Sequence, residues 1–421
     1  MRMLRAERPI RPTVNNLRAG GHHMPDGAFS SDVVIIGGCG RVGLPLGIAL
    51  ASRGRTVSLY DINEKAVEQV NEGRLPFLER GAEQPLADAV REGQLMATAD
   101  PAVVGTAEYV IVVVGTPVDA FLAPDHSAVW RALESCRGHF SPEQVIVLRS
   151  TVHPGAVRII ERLLEPYGLA SNVAFCPERI AEGHSMTELF SLPQIVAARN
   201  QETAVRAEKL FRALTDRIVS LSPEEAELVK LFTNSWRYIK FATANEFWRI
   251  SNDAGLDYDR IRHALTHEYP RAADVPGAGF AAGPCLRKDT IQLASHSGTF
   301  ALGHAAVQVN EGLPAYLVSR LERRYPLADM TVGILGMGFK AGSDDPRESL
   351  SFRLRKILLL RAQEVLCADP YVVDERFLPE EEVLGRADLL IIGAPHPAYH
   401  GLKAEQPIAD VWGITGHGAL I

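Results

Sequence analysis

The sequence places a cysteine in a loop built for access rather than packing: Pro276-Gly277-Ala278-Gly279-Phe280-Ala281-Ala282-Gly283-Pro284-Cys285-Leu286-Arg287-Lys288-Asp289. A thiol in a Gly-rich loop, with two cations and a carboxylate close behind it, suits a reactive thiolate, because nearby positive charge favours the ionised form. A second constellation lies near the other end of the chain. Gly38-x-Gly40-x-x-Gly43 follows an apolar run, opens a helical stretch, and is followed 18 residues after Gly43 by Asp61, which closes the next apolar run. This is the dinucleotide fingerprint, in which the acid stands about 20 residues beyond the glycines. The glycines allow a tight turn and close approach of a pyrophosphate, whose charge the helix N-terminus favours. Asp61 can hold the adenosine ribose hydroxyls and would repel the extra phosphate of NADP, so NAD is the expected cofactor. Thr116 and Thr151 also follow strand-like runs. In a doubly wound sheet ligands sit at the carboxyl ends of strands, so both threonines are expected to line the pocket. Lys230 and Asn234 stand four apart in a long helical pattern and therefore share one face.

The elements that must position these groups are legible as a repeated plan. Apolar runs at 31–36, 56–60 and 109–114 alternate with helical stretches and glycine turns. The plan returns at 331–335, followed by Gly336-Met337-Gly338-Phe339-Lys340, then at 364–367 and 387–392. Strands alternating with helices give parallel sheets covered on both faces. The expected fold is therefore α/β, with two Rossmann-like doubly wound domains joined by a central helical domain. Ser222-Pro223-Glu224-Glu225 is a helix start with Ser as N-cap, Pro first and Glu at the third position. The helical pattern then runs to about Asp253, some thirty residues and about 45 Å; Asp257 starts another helix. The expected divisions are a flexible extension over 1–30, an NAD-binding domain over 31–220, a central dimerisation domain carrying the cysteine over 221–304, and a second Rossmann-like domain over 305–421.

Composition excludes other classes. At 421 residues the chain is too long for one ordinary core, and 46% apolar with 23% charged residues is globular. A net charge of −7 gives no footprint for nucleic acid. Five cysteines, an odd number with no C-x-x-C pair, argue against disulfides and a structural zinc site, and for the reducing cytoplasm. No apolar run reaches the ~18 residues of a membrane span. Residues 1–30, with His22 and His23, have no apolar core and are not a secretory signal.

From Asp32 onward the chain resembles the UDP-glucose/GDP-mannose dehydrogenase family. The resemblance rests on the glycine turn and Asp61, Val114-Gly115-Thr116-Pro117, Ser150-Thr151-Val152 and Cys176-Pro177-Glu178-Arg179-Ile180-Ala181-Glu182-Gly183. It continues through Glu227-Leu228-Val229-Lys230 with Asn234, the segment 283–289, and Phe339-Lys340 with Arg347-Glu348-Ser349, all in the family's order. It implies that Cys285 is the nucleophile that captures a C6 aldehyde and later forms a thioester. It implies that Lys230 and Asn234 stabilise the oxygen anion at C6 and that Asp289 activates or positions water. Glu178 and Thr151 are implied as partners in proton transfer through water. Arg41, Val42, Lys65, Glu182, Lys288 and Arg347 are implied as cofactor contacts beside the glycines, Thr116 and Thr151. Glu178, Arg179, Lys230, Asn234, Arg271, Gly277, Gly279, Phe280, Phe339 and Lys340 are implied for the substrate. One departure stands before the cysteine, where Ala282-Gly283-Pro284 replaces the two glycines and small or His residue of many relatives.

The activity so implied is a four-electron oxidation of an alcohol to an acid, two hydrides passing to two NAD molecules in turn. A thiolate keeps the aldehyde from escaping between the steps, as a thiohemiacetal and then a thioester. A free thiol is only a few per cent ionised at neutral pH, and Lys230 and Lys288 are placed to raise that fraction. UDP-glucose, giving UDP-glucuronate, is the first expected substrate; a UDP-N-acetylhexosamine (GlcNAc or ManNAc) or another NDP-hexose is the alternative. A two-electron hydroxyacid or sugar-phosphate dehydrogenase would leave Cys285 and the second α/β domain unused. A silent NAD-binding scaffold would have no use for Cys285, Lys230, Asn234 and Asp289. The apolar face of the long helix, with the resemblance, implies a homodimer or larger.

Overall fold

The run Val33-Val34-Ile35-Ile36 carries no polar residue because both of its faces are covered. Val33 and Ile35 enter one apolar core, and Val34 and Ile36 the other. This is the pattern of a central parallel strand. The computed structural model describes residues 29–116, 127–416, 418, 419 and 421. Pro117 and almost all of the expected N-terminal extension, with His22 and His23, lie outside the described residues.

The first sheet has eight strands in the order β3-β2-β1-β4-β5-β6-β7-β8. They are β1 (Ser31–Ile36), β2 (Val57–Tyr60), β3 (Leu95–Thr98), β4 (Ala107–Val112), β5 (Val145–Leu148), β6 (Val173–Phe175), β7 (Gln194–Ala198) and β8 (Ile218–Leu221). All pairs are parallel except β6 with β7. Helices α1 (Gly43–Ala51), α2 (Glu64–Asn71), α3 (Glu83–Arg91), α4 (Ser127–Ser135), α5 (Ala156–Leu164), α6 (Ser185–Ser191) and α7 (Gln201–Phe211) connect them. Strand order reverses at β1, whose neighbours are β2 and β4. That switch point opens a crevice beyond the strands' carboxyl ends, where ligands bind.

Helix α8 (Pro223–Asp253) has 31 residues and starts as the sequence predicts: Ser222 and Glu225 form a reciprocal capping box with Pro at the first turn. Helices α9 (Tyr258–Thr266), α10 (Leu286–Ser297) and α11 (Ala301–Glu322) follow, with α10 and α11 packed on α8. The expected boundary at 304/305 falls inside α11. The second sheet, β10-β9-β11-β12, is wholly parallel. Its strands are β9 (Thr331–Leu335), β10 (Glu364–Ala368), β11 (Leu389–Ile392) and β12 (Ile408–Ala409), with helices α12 (Leu350–Leu358) and α13 (Glu380–Arg386). The last residues return to α8: Trp248 Nε1 donates to the Ala419 carbonyl at 2.7 Å, and the Ile421 amide donates to Asn252 at 2.8 Å. The described residues include no helix long and apolar enough to cross a membrane.

Candidate active site

The glycine turn between β1 and α1 is shaped by its own backbone. A Cβ at Gly38 would lie 2.7 Å from the Ile35 carbonyl, and one at Gly43 would lie 2.5 Å from the Gly37 carbonyl. A Cβ at Gly40 would meet only the Gly37 carbonyl, at 3.4 Å. The protein needs the first and third glycines for itself, and the second leaves room for a ligand. Val42, at the N-cap of α1, offers no side-chain hydrogen bond, although the Leu44 and Leu46 amides turn back to the Gly40 and Val42 carbonyls at 3.0 and 3.3 Å. Asp61 accepts from the Cys39 amide at 3.0 Å through one oxygen and from the Asn63 amide at 3.0 Å through the other. Open cradle, helix start and acid fit the pyrophosphate and ribose of NAD. Lys65, in the first turn of α2, is exposed close to this acid.

The second glycine turn, after β9, differs. Its acid, Asp369, has no exposed side-chain surface and accepts from the amides of Met337, Gly338, Tyr371 and Val372. His396 Nδ1 accepts from the Gly342 amide at 3.0 Å, so the ring proton sits on Nε2 and points to Asp369 at 3.1 Å. With its acid consumed by its own backbone, this turn is not a second ribose site.

Cys285 is the N-cap residue of α10, where the helix dipole favours a thiolate. All five cysteines are described and free; Cys285 is exposed and the other four are buried. Solvent reaches the thiol, yet atoms crowd round it as in the wall of a cleft. Burial, and then Asp289, push it above the ordinary thiol range, while Lys230, Lys288 and Arg347 oppose them. One turn further along α10, Asp289 is fully buried. Its Oδ2 accepts from Asn234 Nδ2 at 2.5 Å, and its Oδ1 lies 3.2 Å from Lys288 Nζ without completing a hydrogen bond. Lys288 Nζ donates to Thr116 Oγ1 at 3.0 Å, and Thr116 donates to the Thr151 carbonyl at 2.7 Å. Asp289, Lys288, Thr116 and Thr151 thus run from the cysteine helix to the carboxyl ends of β4 and β5. Lys230 is half-buried and has no ion-pair or hydrogen-bond partner among the described residues.

A third cluster ties the cofactor turn to the C-terminal domain. Arg41 Nη1 lies 3.0 Å from Glu182 and 2.7 Å from Asp344, and its guanidinium stacks over Phe77. Asp344 also accepts from the Leu78 amide at 3.0 Å. Glu182 accepts from Ser343 Oγ at 2.8 Å, while its carbonyl accepts from Lys340 Nζ. Burial lifts the Glu182 carboxyl above the ordinary range against the pull of Arg41, and lowers the Lys340 ammonium. Asp345 accepts from Arg347 through both oxygens, Oδ2 from Nη2 at 2.6 Å and Oδ1 from Nε at 2.9 Å.

Several groups expected to meet ligand are engaged elsewhere. Glu178 accepts four hydrogen bonds: from Arg149 Nε and Nη2, and from the Arg179 and Ile180 amides. A carboxylate has about four lone-pair sites, so all are in use, and the acid as seen holds the 176–183 loop rather than a water relay. The Arg179 guanidinium donates to the Pro193 carbonyl. Phe280 is buried edge-on to Trp412, whose ring also covers Gly279; this is packing between the loop and the C-terminal domain. Phe339 packs against Gly283, where a Cβ would lie 2.6 Å from its ring and where φ is +100°, so both the contact and the backbone favour glycine. Phe339 thereby sets the loop two residues before Cys285. Gly277 has open space around its Cα, and Arg271, exposed, stacks on Tyr269. Sequence reading missed Arg149, whose side chain is wholly buried, and Glu79, also wholly buried, which accepts from the Gly183 and Ser185 amides at 3.0 Å. Neither carries a local signal, because their partners are 29 and about 100 residues away.

Fold and site define an NAD-binding dehydrogenase built from two α/β domains around a helical core. Three models of one family match in order: the NAD binding domain over residues 31–215, the central domain over 224–312 and the UDP binding domain over 333–417. The UDP-N-acetyl-D-mannosamine dehydrogenase of Pyrococcus horikoshii is 31% identical over 383 residues, covering 88% of this chain and 90% of that protein. The structure of UDP-D-ManNAc dehydrogenase from Pyrococcus horikoshii superposes with a TM-score of 0.83 at 28% identity, covering 90% of this chain and 94% of the other. That of a UDP-glucose dehydrogenase from Pyrobaculum islandicum gives 0.84 at 27%, covering 93% and 96%. The chain belongs to the UDP-glucose/GDP-mannose dehydrogenase family and is an NAD-dependent nucleotide-sugar dehydrogenase.

Proposed function

We propose that this chain oxidises the C6 hydroxymethyl of a UDP-N-acetylhexosamine to the uronic acid, with Cys285 carrying the intermediate. The observation that supports the chemistry is a solvent-reached thiol at the start of α10, set among Lys230, Lys288 and the Asn234–Asp289 pair. For the sugar, the support is the sequence likeness to proteins named for N-acetylmannosamine, which displaces UDP-glucose as first choice. Backbone shape favours neither, since the two superpositions are equally good.

Gly38, Gly40, Gly43 and Asp61 would hold NAD, which would supply the hydride acceptor for each of the two oxidations at C6. Lys230 and Asn234 oppose the negative charge on the C6 oxygen. Cys285 gives up its proton to solvent water and its sulfur adds to the aldehyde carbon, sending the carbonyl π pair to that oxygen. After the second oxidation the carbon is a thioester. Asp289 Oδ1, short of one hydrogen bond, orients the water that attacks it. The C–S bond breaks and the sulfur regains a proton. Lys288, Thr116 and Thr151 hold the cofactor's side of the cleft to the cysteine's side. Arg41, in the glycine turn, and Arg347 would stand beside bound NAD; Glu178, Glu182 and Phe339 position the loops. Lys340 and Arg271 contact the nucleotide sugar.

A second copy of the chain is proposed to cover α8. Phe232, Trp236, Phe247 and Ile250 recur along this helix and are all exposed, Trp236 to 58%. A row this long, left to solvent on one helix face, suits an isologous dimer.

The experiment is NADH yield against product mass across UDP-GlcNAc, UDP-ManNAc and UDP-glucose. The expected result is the highest kcat/KM on an N-acetylated sugar, two NADH per sugar and an acid product. Cys285→Ala is expected to abolish acid formation while leaving a first oxidation detectable. One NADH per sugar with an aldehyde or ketone, or acid from the alanine variant, overturns the mechanism.

A further inference from the structure

Helix α8 presents Lys230, Asn234 and Arg237 at i, i+4 and i+7, so all three lie on one face. The bond from Asn234 Nδ2 to Asp289 fixes where that face points: toward α10 and Cys285. Arg237 lies about 10 Å further along the axis than Lys230, and it is exposed. Among the described residues it has neither an ion-pair nor a hydrogen-bond partner, unlike its neighbours Lys240 and Arg249, which reach Asp274 and Glu246. It stands near Lys340, whose ammonium feels its charge and is held by a carbonyl rather than a carboxylate. Lys230 and Arg237 therefore share one helix face with no ion pair of their own, and Lys340, although Glu182 and Glu79 lie near enough for its ammonium to feel their charge, forms no ion pair with either among the described residues.

The direction in which a substrate must lie follows from the two ends of this row. C6 is placed by Cys285 and Lys230, and the nucleotide by the UDP binding domain, which carries Lys340. The hexose ring spans the gap, so the group that reaches Arg237 two helical turns beyond Lys230 is the one on the far side of the sugar. An unpaired guanidinium there calls for an anion, and its planar fork matches phosphate oxygens.

We propose that Arg237 binds the diphosphate of the nucleotide sugar and, with Lys340, fixes how far the sugar reaches toward Cys285. This rests on the nucleotide-sugar reading above. Because the diphosphate is common to all such substrates, Arg237 grips the substrate class and not one sugar.

The test uses the full chain with Arg237→Met and Arg237→Lys. It measures the inhibition constant of UDP alone, KM for each accepted UDP-sugar, and KM for NAD. Arg237→Met is expected to weaken UDP and every UDP-sugar by the same factor, on the order of 10–100-fold for a lost charged hydrogen-bonded pair, with NAD KM unmoved. Arg237→Lys is expected to recover part of the loss. Unchanged UDP inhibition overturns the proposal, including the case in which only N-acetylated sugars weaken and Arg237 reads the sugar instead. A parallel rise in NAD KM also overturns it, since Arg237 would then serve the cofactor. If the intact protein binds neither UDP nor any UDP-sugar, the substrate reading fails first and this inference with it; if the intact protein binds them and Arg237→Met binds them as well, the inference alone fails.

Discussion

Alanine at Gly40 should separate cofactor recognition from folding, and alanine at Gly43 supplies the contrast within one turn. At residue 43 the new Cβ would stand 2.5 Å from the Gly37 carbonyl oxygen and 2.9 Å from the Gly38 Cα. Both are backbone atoms and neither can swing aside. At residue 40 the nearest atom would be 3.4 Å away, and the φ there lies outside the left-handed region. Gly40→Ala should therefore change stability by less than about 0.5 kcal/mol, as surface substitutions do. Gly43→Ala should cost about 2 kcal/mol of overpacking, or roughly 4–8 °C in Tm for a domain of this size. The order reverses for the cofactor. The methyl at residue 40 fills the space a pyrophosphate must enter, and an ångström of displacement costs on the order of 100-fold in rate. The assay is NAD KM at saturating nucleotide sugar, beside thermal unfolding of each variant without ligand. A Gly40→Ala protein with unaltered NAD KM, or one destabilised as much as Gly43→Ala, would refute the reasoning.

The Cys285 thiol sits above its usual range through burial and Asp289, so less of it is thiolate at neutral pH and iodoacetamide labelling should climb as pH rises. Asp289→Asn should move that climb to lower pH and Lys288→Met to higher pH; shifts in the opposite directions would refute the charge assignments. Asp61→Ala should narrow the preference for NAD over NADP by about 10–100-fold, the worth of a charged hydrogen bond to the ribose, and equal kcat/KM for both cofactors in the unmodified protein would remove the role given to that acid. Trp236→Glu, on the exposed row of α8, should weaken self-association about 30-fold or more, as loss of a central aromatic anchor does. Sedimentation of the unmodified protein as a monomer would show that the row faces something else.

Short-range rules made the elements legible before any contact was known. β1, β9 and the start of α8 fall where the apolar runs and the capping box place them, and α8 ends at Asp253 as its pattern predicts. Gly38, Gly40, Gly43 and Asp61 come together because a turn and one βαβ unit bring them together, and Lys230 and Asn234 share a face because 3.6 residues make a turn. The fate of the other charged groups was not legible in that way. Glu178 looked available for proton transfer until Arg149, from the neighbouring strand, filled its lone pairs. Nor did any local pattern show that the Phe339 ring packs on Gly283 across the domain junction.

What the sequence determined by itself is therefore the chemistry carried within one unit: the cofactor turn, its acid, the long helix and the cysteine that opens α10. What only the tertiary structure decided is which charges remain free. Arg41 is spent on Glu182 and Asp344, 141 and 303 residues away, and Glu79 on the loop at 183–185, whereas Lys230 and Arg237 keep no carboxylate partner among the described residues. The physical reason is range. Helix and turn preferences act over a few residues, but a side chain's hydrogen-bond partner is chosen by the docking of surfaces that the chain brings together only when the domains close.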